Sequence, residues 1–407
     1  MSATRIVIIG AGHGGVQAAA SLREDGFGGE IVLLSGESEL PYQRPPLSKA
    51  FLKGEMDVNG LPLRAEAFFR EHRISLRLGV RATRIDRAAK TVETNDGERL
   101  PYDQLILATG SRHRPLDVPG IGLSGVFVLR TIADAVAIRA ALEGARRVVV
   151  VGAGFIGLEI SATAVALGRE VSVIEIARPM GRAVSGVLSD FFAKAHRTFG
   201  ADLRLGVGVT AVVGTEKAEG VALSGGEIIP ADLVVIGVGA LAEDALAQAS
   251  GLECANGIVV DSYLRTSDPD ISAIGDCARF PSPALGALIR LESVQNAVDQ
   301  ARAVAARLGG NPVGPYDALP WFWSDQGDLK LQMVGLADGV DQWVVRGDPE
   351  SRAFAIFGFR AGKLAVVETV NRVGDHAAAR RIVGTTKLLS PEDAANPAFD
   401  LRALAKK

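Results

Sequence analysis

Cysteine is nearly absent from this sequence, and its scarcity excludes two kinds of site. Only two of the 407 residues are cysteine, Cys254 and Cys277, and they form no CxxC or CxxxxC spacing. A redox-active dithiol and a structural zinc site are therefore not available. Five scattered histidines without HExxH-type spacing give no reason to expect a metal. We interpret both cysteines as small buried apolar residues.

Long apolar runs and an excess of one charge are also missing. No run approaches the roughly 18–20 residues needed to cross a bilayer, so we expect no membrane contact. Residues 1–5 lead straight into an apolar stretch and leave no room for a removable signal peptide, which predicts a cytoplasmic protein. The net charge of −3 gives no reason to expect a nucleic-acid partner.

Glycine, by contrast, is abundant, and two glycine fingerprints dominate the sequence. Residues 10–15 read GAGHGG directly after the apolar run IVII, and residues 152–157 read GAGFIG directly after VVVV, 142 positions later. In such a strand–turn–helix unit one glycine permits the tight turn, one lets the backbone approach a pyrophosphate, and one lets helix and strand pack closely. The helix N-terminus then attracts the phosphates. Two fingerprints predict two dinucleotide sites, one built on Gly10, Gly12, Gly14 and Gly15 and one on Gly152, Gly154, Ile156 and Gly157.

The length predicts several domains, and the fingerprints show how the chain divides. We predict a first dinucleotide-binding part at 1–110, a second dinucleotide-binding domain at 111–236, a return to the first at 237–315, and a C-terminal α+β domain at 316–407. Around the fingerprints the pattern predicts strands at 6–9, 31–34, 105–110, 148–151, 171–174, 207–213 and 233–236, with helices at 14–23 and 155–167. The segment 266–276 is predicted to return to a short apolar strand that ends in an acid. Alternating apolar residues at 353–359 and 364–370 indicate an antiparallel sheet.

The second fingerprint has an acid where a nicotinamide dinucleotide needs one. Glu175 ends the strand 171–174, 23 positions after Gly152, and suits the two adenosine-ribose hydroxyls of NAD. The same charge would repel the 2′-phosphate of NADP, so we expect a preference for NADH. Arg178 and Arg182 lie nearby and could accept a 2′-phosphate instead.

The first fingerprint is less regular at the equivalent position. The strand 31–34 is followed by Ser35 and Gly36, and the first acid is Glu37. Glu37 either reaches the ribose or is solvated, and the sequence leaves both readings open.

Five further segments, in order, give the chain its resemblance to a family. Residues 42–49 (YQRPPLSK), 105–110 (LILATG), 273–276 (AIGD), 290–297 (RLESVQNA) and 321–326 (WFWSDQ) are the segments concerned. With the two fingerprints they resemble the pyridine-nucleotide-dependent flavoprotein reductases, and more closely the ferredoxin reductases of bacterial oxygenases, of the putidaredoxin reductase type. The resemblance covers essentially the whole chain.

The resemblance implies a fold, two cofactors and a partner. The fold would be α/β, with two Rossmann-like domains for FAD and NAD and a C-terminal α+β domain carrying an antiparallel sheet. The activity would be that of an NADH:ferredoxin oxidoreductase, which takes hydride from NADH onto FAD and passes single electrons to a small acidic two-iron, two-sulfur ferredoxin. The ferredoxin would feed a monooxygenase or dioxygenase, and the reductase would be a monomer. Arg290, Arg302 and Lys330 are candidates for steering the acidic partner.

The resemblance also assigns individual residues. No acid–base or nucleophilic residue is required, and Lys49 and Trp321 are placed beside the flavin. Further FAD contacts would come from Gly36, Glu37, Arg44, Ala82, Thr109, Gly110, Arg130, Asp276 and Val294. NAD contacts would come from Glu159, Arg182, Gly237, Gly239 and Glu292.

Each charged or aromatic assignment has a structural alternative. Asp276 could be a helix N-cap before Cys277 and Ala278. Lys49, Arg44, Arg130 and Glu159 could be surface residues, and Trp321 could be a core tryptophan.

Three rival functions remain. A disulfide reductase of this fold would need a dithiol, and residues 37–52 contain no cysteine. A flavoprotein of the apoptosis-inducing type, used for interaction or redox sensing, would share the fingerprints and the third domain. An NADH oxidase or peroxide reductase is a related alternative, and the absence of a reactive cysteine near the flavin disfavours peroxide chemistry.

Overall fold

A computed structural model describes residues 4–406 of the chain. Its helices, in chain order, are α1 (His13–Glu24), α2 (Glu66–Glu71), α3 (Ile132–Gly144), α4 (Phe155–Ala166), α5 (Gly186–Phe199), α6 (Ala245–Ala249), α7 (Val294–Leu308), α8 (Val373–Ala379), α9 (Pro391–Ala395) and α10 (Leu401–Lys406). Short 3-10 turns cover Pro45–Ser48, Val58–Gly60, Gly275–Cys277 and Pro349–Ser351.

The strands are mostly short and follow one another closely. In chain order they are β1 (Arg5–Ile9), β2 (Glu30–Leu34), β3 (Ile74–Arg77), β4 (Ala82–Asp86), β5 (Thr91–Thr94), β6 (Arg99–Pro101), β7 (Gln104–Leu107), β8 (Ser111–His113), β9 (Val126–Val128), β10 (Arg147–Val151), β11 (Glu170–Glu175), β12 (Asp202–Leu205), β13 (Val209–Val213), β14 (Gly220–Leu223), β15 (Ile228–Pro230), β16 (Leu233–Ile236), β17 (Ala240–Ala242), β18 (Ile258–Val259), β19 (Ile271–Ala273), β20 (Ala278–Ser282), β21 (Ala287–Ile289), β22 (Trp321–Gln326), β23 (Leu329–Gly335), β24 (Gln342–Arg346), β25 (Phe354–Arg360) and β26 (Lys363–Val370).

The described residues form two compact units. The first contains residues 4–43, 59–112 and 240–318, and the second contains residues 44–58, 113–239 and 319–406. The four-part division predicted from the sequence stays a prediction.

The first unit is built on a parallel five-stranded sheet of order β19-β7-β1-β2-β3. β1 lies in its centre, with Val7 paired to Val32 of β2 and to Leu105 of β7. Strands covered on both faces read as unbroken apolar runs, and this explains the sequence IVII. Helices α1 and α7 pack against each other, so the glycine turn between β1 and α1 is held by a buried sheet and a helix pair.

The second unit repeats this plan. Its parallel sheet has the order β12-β11-β10-β16-β9, and β10 pairs with β11 and β16. Helix α4 follows the second glycine turn and buries eight consecutive residues, from Gly157 to Ala164. Both predicted strand–turn–helix units are therefore confirmed.

The C-terminal part of the second unit is an antiparallel sheet of order β22-β23-β26-β25-β24. The alternating segments around 353–359 and 364–370 form β25 and β26, as predicted. Helix α8 packs on β23 and β26, and α9 packs on β24 and β25.

Arg346, at the end of β24, anchors the segment that follows the sheet. Its guanidinium is 5% exposed and donates hydrogen bonds to four backbone carbonyls, those of Ala394, Asn396, Pro397 and Phe399. One side chain therefore satisfies the carbonyls at the end of α9 and along the turn before α10.

Two sequence expectations are wrong in detail. The strand expected at 207–213 is the shorter β13, which belongs to a small antiparallel sheet with β14 and β15, and the preceding β12 was not predicted. Cys277 and Ala278 do not open a helix, because Ala278 begins β20 and pairs across to Ile258. The N-cap alternative for Asp276 is therefore wrong.

Within residues 4–406, no helix combines the length and the apolar character needed to span a membrane. No group of three or more His, Cys, Asp or Glu side chains in the same residues is placed to hold a metal ion.

Candidate functional site

The first glycine turn leaves space at one position and none at two others. Gly10 has φ +105°, and a Cβ on it would lie 2.2 Å from the Ala108 carbonyl oxygen. A Cβ on Gly15 would lie 1.8 Å from the Gly10 carbonyl oxygen. A Cβ on Gly12 would meet no described atom within 4 Å. Gly12 is also the N-cap of α1 and offers no capping side chain.

The second glycine turn reproduces this arrangement. A Cβ on Gly152 (φ +103°) would lie 2.4 Å from the Gly237 carbonyl oxygen, and one on Gly157 would lie 2.1 Å from the Gly152 carbonyl oxygen. A Cβ on Gly154 would have its nearest neighbour, the Gly237 oxygen, 4.0 Å away. Gly154 is the N-cap of α4, again without a capping side chain.

Both turns therefore fit a dinucleotide diphosphate. The two crowded glycines in each turn bring strand, turn and helix together, and the open glycine leaves room in front of a helix N-terminus. Gly14, at the start of α1, is close to Ile274 and Ala297, so it serves packing rather than access. We name these two features the first and second glycine cradles, residues 10–15 and 152–157.

Glu175 is the last residue of β11 and closes the second cradle. One carboxylate oxygen accepts the N–H of Ala153 at 2.9 Å, and the other accepts the N–H of Ala177 at 2.9 Å. Each oxygen keeps a lone pair for a further donor. Arg178 is engaged by Asp190 at 2.8 Å, and Arg182 is exposed.

Three other predicted NAD residues flank this cradle. Gly237 donates its N–H to the Val151 carbonyl at 2.7 Å, and Gly239 has φ +105°. Ile156, in the first turn of α4, is 48% exposed. Glu292 lies in the first unit, where it forms a 2.7 Å ion pair with Arg290.

At the end of β2, Glu37 is held by a tyrosine. The hydroxyl of Tyr42 donates to a Glu37 carboxylate oxygen at 2.5 Å. The guanidinium of Arg81 lies 3.2 Å from where a Gly36 side chain would begin. The cation beside this turn is therefore Arg81, one residue before the predicted Ala82, and the sequence reasoning missed it.

Thr109, Gly110 and Asp276 come together after β7 and β19. Thr109 donates its hydroxyl to the Glu243 carbonyl at 2.5 Å, and the Gly110 carbonyl accepts the Glu243 N–H at 2.9 Å. Ser111 donates to an Asp276 carboxylate oxygen at 2.8 Å. Since parallel strands end at one edge of a sheet, these residues lie where an α/β sheet binds its ligand. Val294 begins α7 directly after its N-cap, Ser293.

In the second unit the structure brings Lys49 and Glu159 together. The Lys49 ammonium lies 3.0 Å from a Glu159 carboxylate oxygen, and the two side chains are 19% and 7% exposed. Neither is therefore a freely solvated surface residue. One was predicted to contact flavin and the other nicotinamide, and the sequence did not indicate that they form an ion pair.

Arg44, Arg130 and Trp321 are partly buried in the same unit. Arg44 donates to the Arg130 carbonyl at 2.6 Å, which ties the proline-rich segment to the start of α3. Trp321 is half-buried in β22, with the guanidinium carbon of Arg380 4.6 Å from its ring centroid. Trp321 also packs against the apolar core of the C-terminal sheet, so its role beside the flavin and its role as a core tryptophan both stay predictions.

Neither cysteine is an activated thiol. Cys277 is completely buried, as predicted, and burial raises its pKa. Cys254 is only partly buried, unlike the prediction, and desolvation raises its pKa to about 11. Because the thiolate is the reactive form, these environments argue against disulfide and peroxide chemistry.

Comparison with known proteins agrees with this geometry. Residues 4–301 match the family described as pyridine nucleotide-disulphide oxidoreductase, and residues 321–405 match a reductase C-terminal domain. The chain belongs to the pyridine nucleotide-disulphide oxidoreductase family. It is an oxidoreductase flavoprotein, with FAD and NADH as its expected cofactors.

Members of this family resemble the chain over nearly its full length. Rhodocoxin reductase of Rhodococcus erythropolis is 50% identical over 399 residues, which cover 98% of this chain and 93% of that protein. Putidaredoxin reductase of Pseudomonas putida is 39% identical over 98% of this chain and 97% of that protein. The crystal structure of a ferredoxin reductase from Rhodopseudomonas palustris superposes with a TM-score of 0.96 at 48% identity, covering 98% of this chain and 99% of that chain.

A second solved relative is a covalent complex of putidaredoxin reductase with putidaredoxin. It has a TM-score of 0.96 at 37% identity and covers 100% of this chain and 99% of that chain. The predicted fold class, two Rossmann-like domains and a C-terminal antiparallel sheet, is confirmed.

Proposed function

We propose that the chain is an FAD-dependent reductase that takes hydride from NADH and delivers single electrons to a small acidic two-iron, two-sulfur ferredoxin. That ferredoxin would serve a monooxygenase or dioxygenase. The pair of glycine cradles carries the proposal, because hydride transfer from NADH to FAD needs both dinucleotides on one protein. Bound FAD would supply the conversion of two-electron into one-electron transfer, chemistry that no side chain provides.

In this proposal the residues of the chain bind and orient. The first cradle would hold the FAD diphosphate, with Thr109 and Asp276 at the adjoining sheet edge. The second cradle would hold the NADH diphosphate, and Glu175 would accept the ribose hydroxyls. Lys49, fixed by Glu159, would place a positive charge beside the flavin, as the resemblance implies. Trp321 would lie at the flavin edge.

The partner assignment draws on the relatives and on charge. Putidaredoxin reductase has been solved in complex with putidaredoxin, and we extend that type of pairing to this chain. Of the three cations suggested from the sequence, Arg290 is poorly suited to steering, since its side chain is 10% exposed and paired with Glu292. Arg302 and Lys330 are 61% and 47% exposed, although each contacts an aspartate. A monomeric reductase in the cytoplasm, where NADH is supplied, completes the proposal.

Anaerobic stopped-flow experiments test the proposal directly. Purified holoprotein should lose its yellow flavin absorbance on mixing with NADH, more efficiently than with NADPH. Mixing the reduced protein with two-iron, two-sulfur ferredoxins should then reduce the acceptor. A protein that retains no FAD, or that stays oxidised in excess NADH, would contradict the proposal. Reduction by NADH followed by a persistent reduced state with every ferredoxin would favour the redox-sensing alternative.

A further inference from the structure

Glu159 is a buried carboxylate with an unusually complete set of donors. Besides the Lys49 ammonium, the hydroxyl of Ser48 donates to one of its oxygens at 2.5 Å and the hydroxyl of Ser324 donates to the other at 2.7 Å. A carboxylate buried in this way is tolerated only when its lone pairs are satisfied. Ser324 therefore shares the same oxygen with Lys49.

Ser324 is also one end of a buried hydrogen-bond chain formed by His196, Gln326 and Ser324. The side-chain amide nitrogen of Gln326 donates to the Ser324 oxygen at 3.2 Å, and the Gln326 carbonyl oxygen lies 2.9 Å from Nε2 of His196. His196, Gln326 and Ser324 have no exposed surface. Through these three residues, the hydrogen bonds around Glu159 extend into the interior of the second unit.

All donors in the hydrogen-bond chain point in one direction, from His196 towards Glu159. Burial lowers the pKa of His196, so its imidazole is neutral and has a single N–H. Facing a carbonyl oxygen, that N–H must be at Nε2. The Gln326 amide then donates to Ser324, and the Ser324 hydroxyl, having accepted, donates to Glu159. Hydrogen bonds aligned in this way polarise one another and favour negative charge at the end that only accepts.

The residues of the hydrogen-bond chain lie on strands and helices. Ser324 and Gln326 are two residues apart on β22 and therefore share one face of that strand. Helix α4 carries Glu159 and packs on β22, and α5 carries His196. Residues on strands and helices keep their positions more accurately than residues on loops.

We propose that His196, Gln326 and Ser324 are positioning residues, which fix the Glu159 carboxylate and through it the Lys49 ammonium for hydride transfer. This inference rests on the proposed function, because Lys49 matters only if it lies beside the flavin. None of the three touches a reacting atom in this scheme. Their contribution is orientation, and small errors of placement reduce hydride-transfer rates steeply.

The main test compares Ser324→Ala with a matched serine. Ser161, on α4, is also completely buried, and its hydroxyl has no hydrogen-bond partner within the described part of the chain. Ser161→Ala is therefore a control of equal size. We expect Ser324→Ala to slow flavin reduction by NADH about tenfold at saturation, with the NADH dissociation constant nearly unchanged. The flavin midpoint potential should become more negative, since the ammonium that favours reduced flavin is less well held. Ser324→Thr, which keeps the hydroxyl, should restore both values.

A double mutant tests whether Ser324 and Gln326 act through the same hydrogen-bond chain. Gln326→Leu removes the donor to Ser324 and should also slow flavin reduction. In Ser324→Ala/Gln326→Leu the second substitution should add almost nothing, because the link to Glu159 is already broken. Effects that multiply would overturn the inference.

Failure of this inference is distinguishable from failure of the proposed function. If wild-type holoprotein is reduced by NADH and Ser324→Ala matches Ser161→Ala in rate and potential, the positioning role is wrong and the reductase function stands. If wild type is not reduced, the function itself is wrong. Should Ser324→Ala not fold, Gln326→Leu measured against Ser161→Ala decides the question with the same readouts.

Discussion

At the scale of single residues, the Glu175 side chain carries a prediction about the second glycine cradle. Glu175 accepts two backbone N–H groups of the second cradle region and retains lone pairs for a ribose. Glu175→Ala should lower kcat/KM for NADH by about 10- to 150-fold, the value of one hydrogen bond to a charged group, and erode the preference over NADPH. Steady-state kinetics with both nucleotides measure this.

Two variants control that experiment. Glu175→Gln keeps an acceptor oxygen and should fall between wild type and Glu175→Ala. Glu170→Ala, at the exposed opposite end of β11, should leave both nucleotides unaffected. Unchanged NADH selectivity in Glu175→Ala would show that the ribose is bound elsewhere.

Asp276 provides the corresponding residue-scale prediction for FAD. It lies in a 3-10 turn after β19 and accepts from Ser111, so a carboxylate is fixed at the sheet edge. Asp276→Ala should weaken FAD retention about tenfold. The ratio of flavin to protein absorbance after gel filtration measures this. Asp317→Ala, an exposed aspartate of the same unit, is the control, and equal flavin content in the two variants would refute the assignment.

At the scale of elements, the second glycine cradle has room for a side chain at Gly154 and none at Gly157. Gly154 has φ −74° and no neighbour closer than 4.0 Å to an added Cβ, so Gly154→Ala should fold normally. The new methyl would occupy the diphosphate space, and we expect NADH binding to weaken at least tenfold while FAD is retained.

Gly157→Ala should behave differently. Its Cβ would lie 2.1 Å from the Gly152 carbonyl oxygen, so helix and turn must separate. We expect a loss of about 3 kcal/mol of stability, measured by thermal unfolding. Equal stability and equal NADH binding in the two variants would contradict the cradle geometry.

Elements near the fingerprints could be predicted from sequence because their signals are local. The runs IVII and VVVV became β1 and β10, and the glycine turns led into α1 and α4 as expected. Strand β12 and the pairing of β13 with β14 and β15 could not be predicted, since DLRL, GVAL and IIP are only three or four residues long. The helix-cap alternative for Asp276 depended on Cys277 and Ala278 opening a helix, whereas the structure places Cys277 at the end of a 3-10 turn and Ala278 at the start of β20.

At the scale of the whole molecule, contacts between distant positions were invisible in the sequence. Lys49 and Glu159 are 110 positions apart, and Ser324 and Glu159 are 165 apart. No periodic pattern links such residues, and only tertiary packing brings them together. The sequence could indicate Ser324 and Gln326 only as two of the three polar residues that follow the aromatic half of β22.

Glu368 carries a prediction about the stability of the fold. It has no exposed surface and accepts from the N–H and hydroxyl of Ser185, the N-cap of α5. Burial raises its pKa from 4.5 to about 7, against the lowering effect of the Ser185 hydrogen bonds. Since the folded pKa is the higher one, its contribution to stability is full below pH 4.5 and is lost as the pH rises through about 7.

Glu368→Gln should remove that pH dependence. Above pH 7 the variant should be more stable than wild type by on the order of 3 kcal/mol at most, and the difference should vanish towards pH 4.5. Thermal unfolding across this range measures it. Glu350→Gln, an exposed carboxylate paired with Lys194, should change little at any pH. A Glu368→Gln variant that follows the wild-type curve would contradict the assignment.

The guanidinium of Arg346 gives the C-terminal segment an attachment that many secreted proteins obtain from a disulfide. Four backbone carbonyl groups accept hydrogen bonds from one permanently charged guanidinium, so neither thiol reductants nor oxidants break this attachment. A flavoprotein that handles electrons continuously can thus keep its last helices docked without offering a bond that those electrons could break.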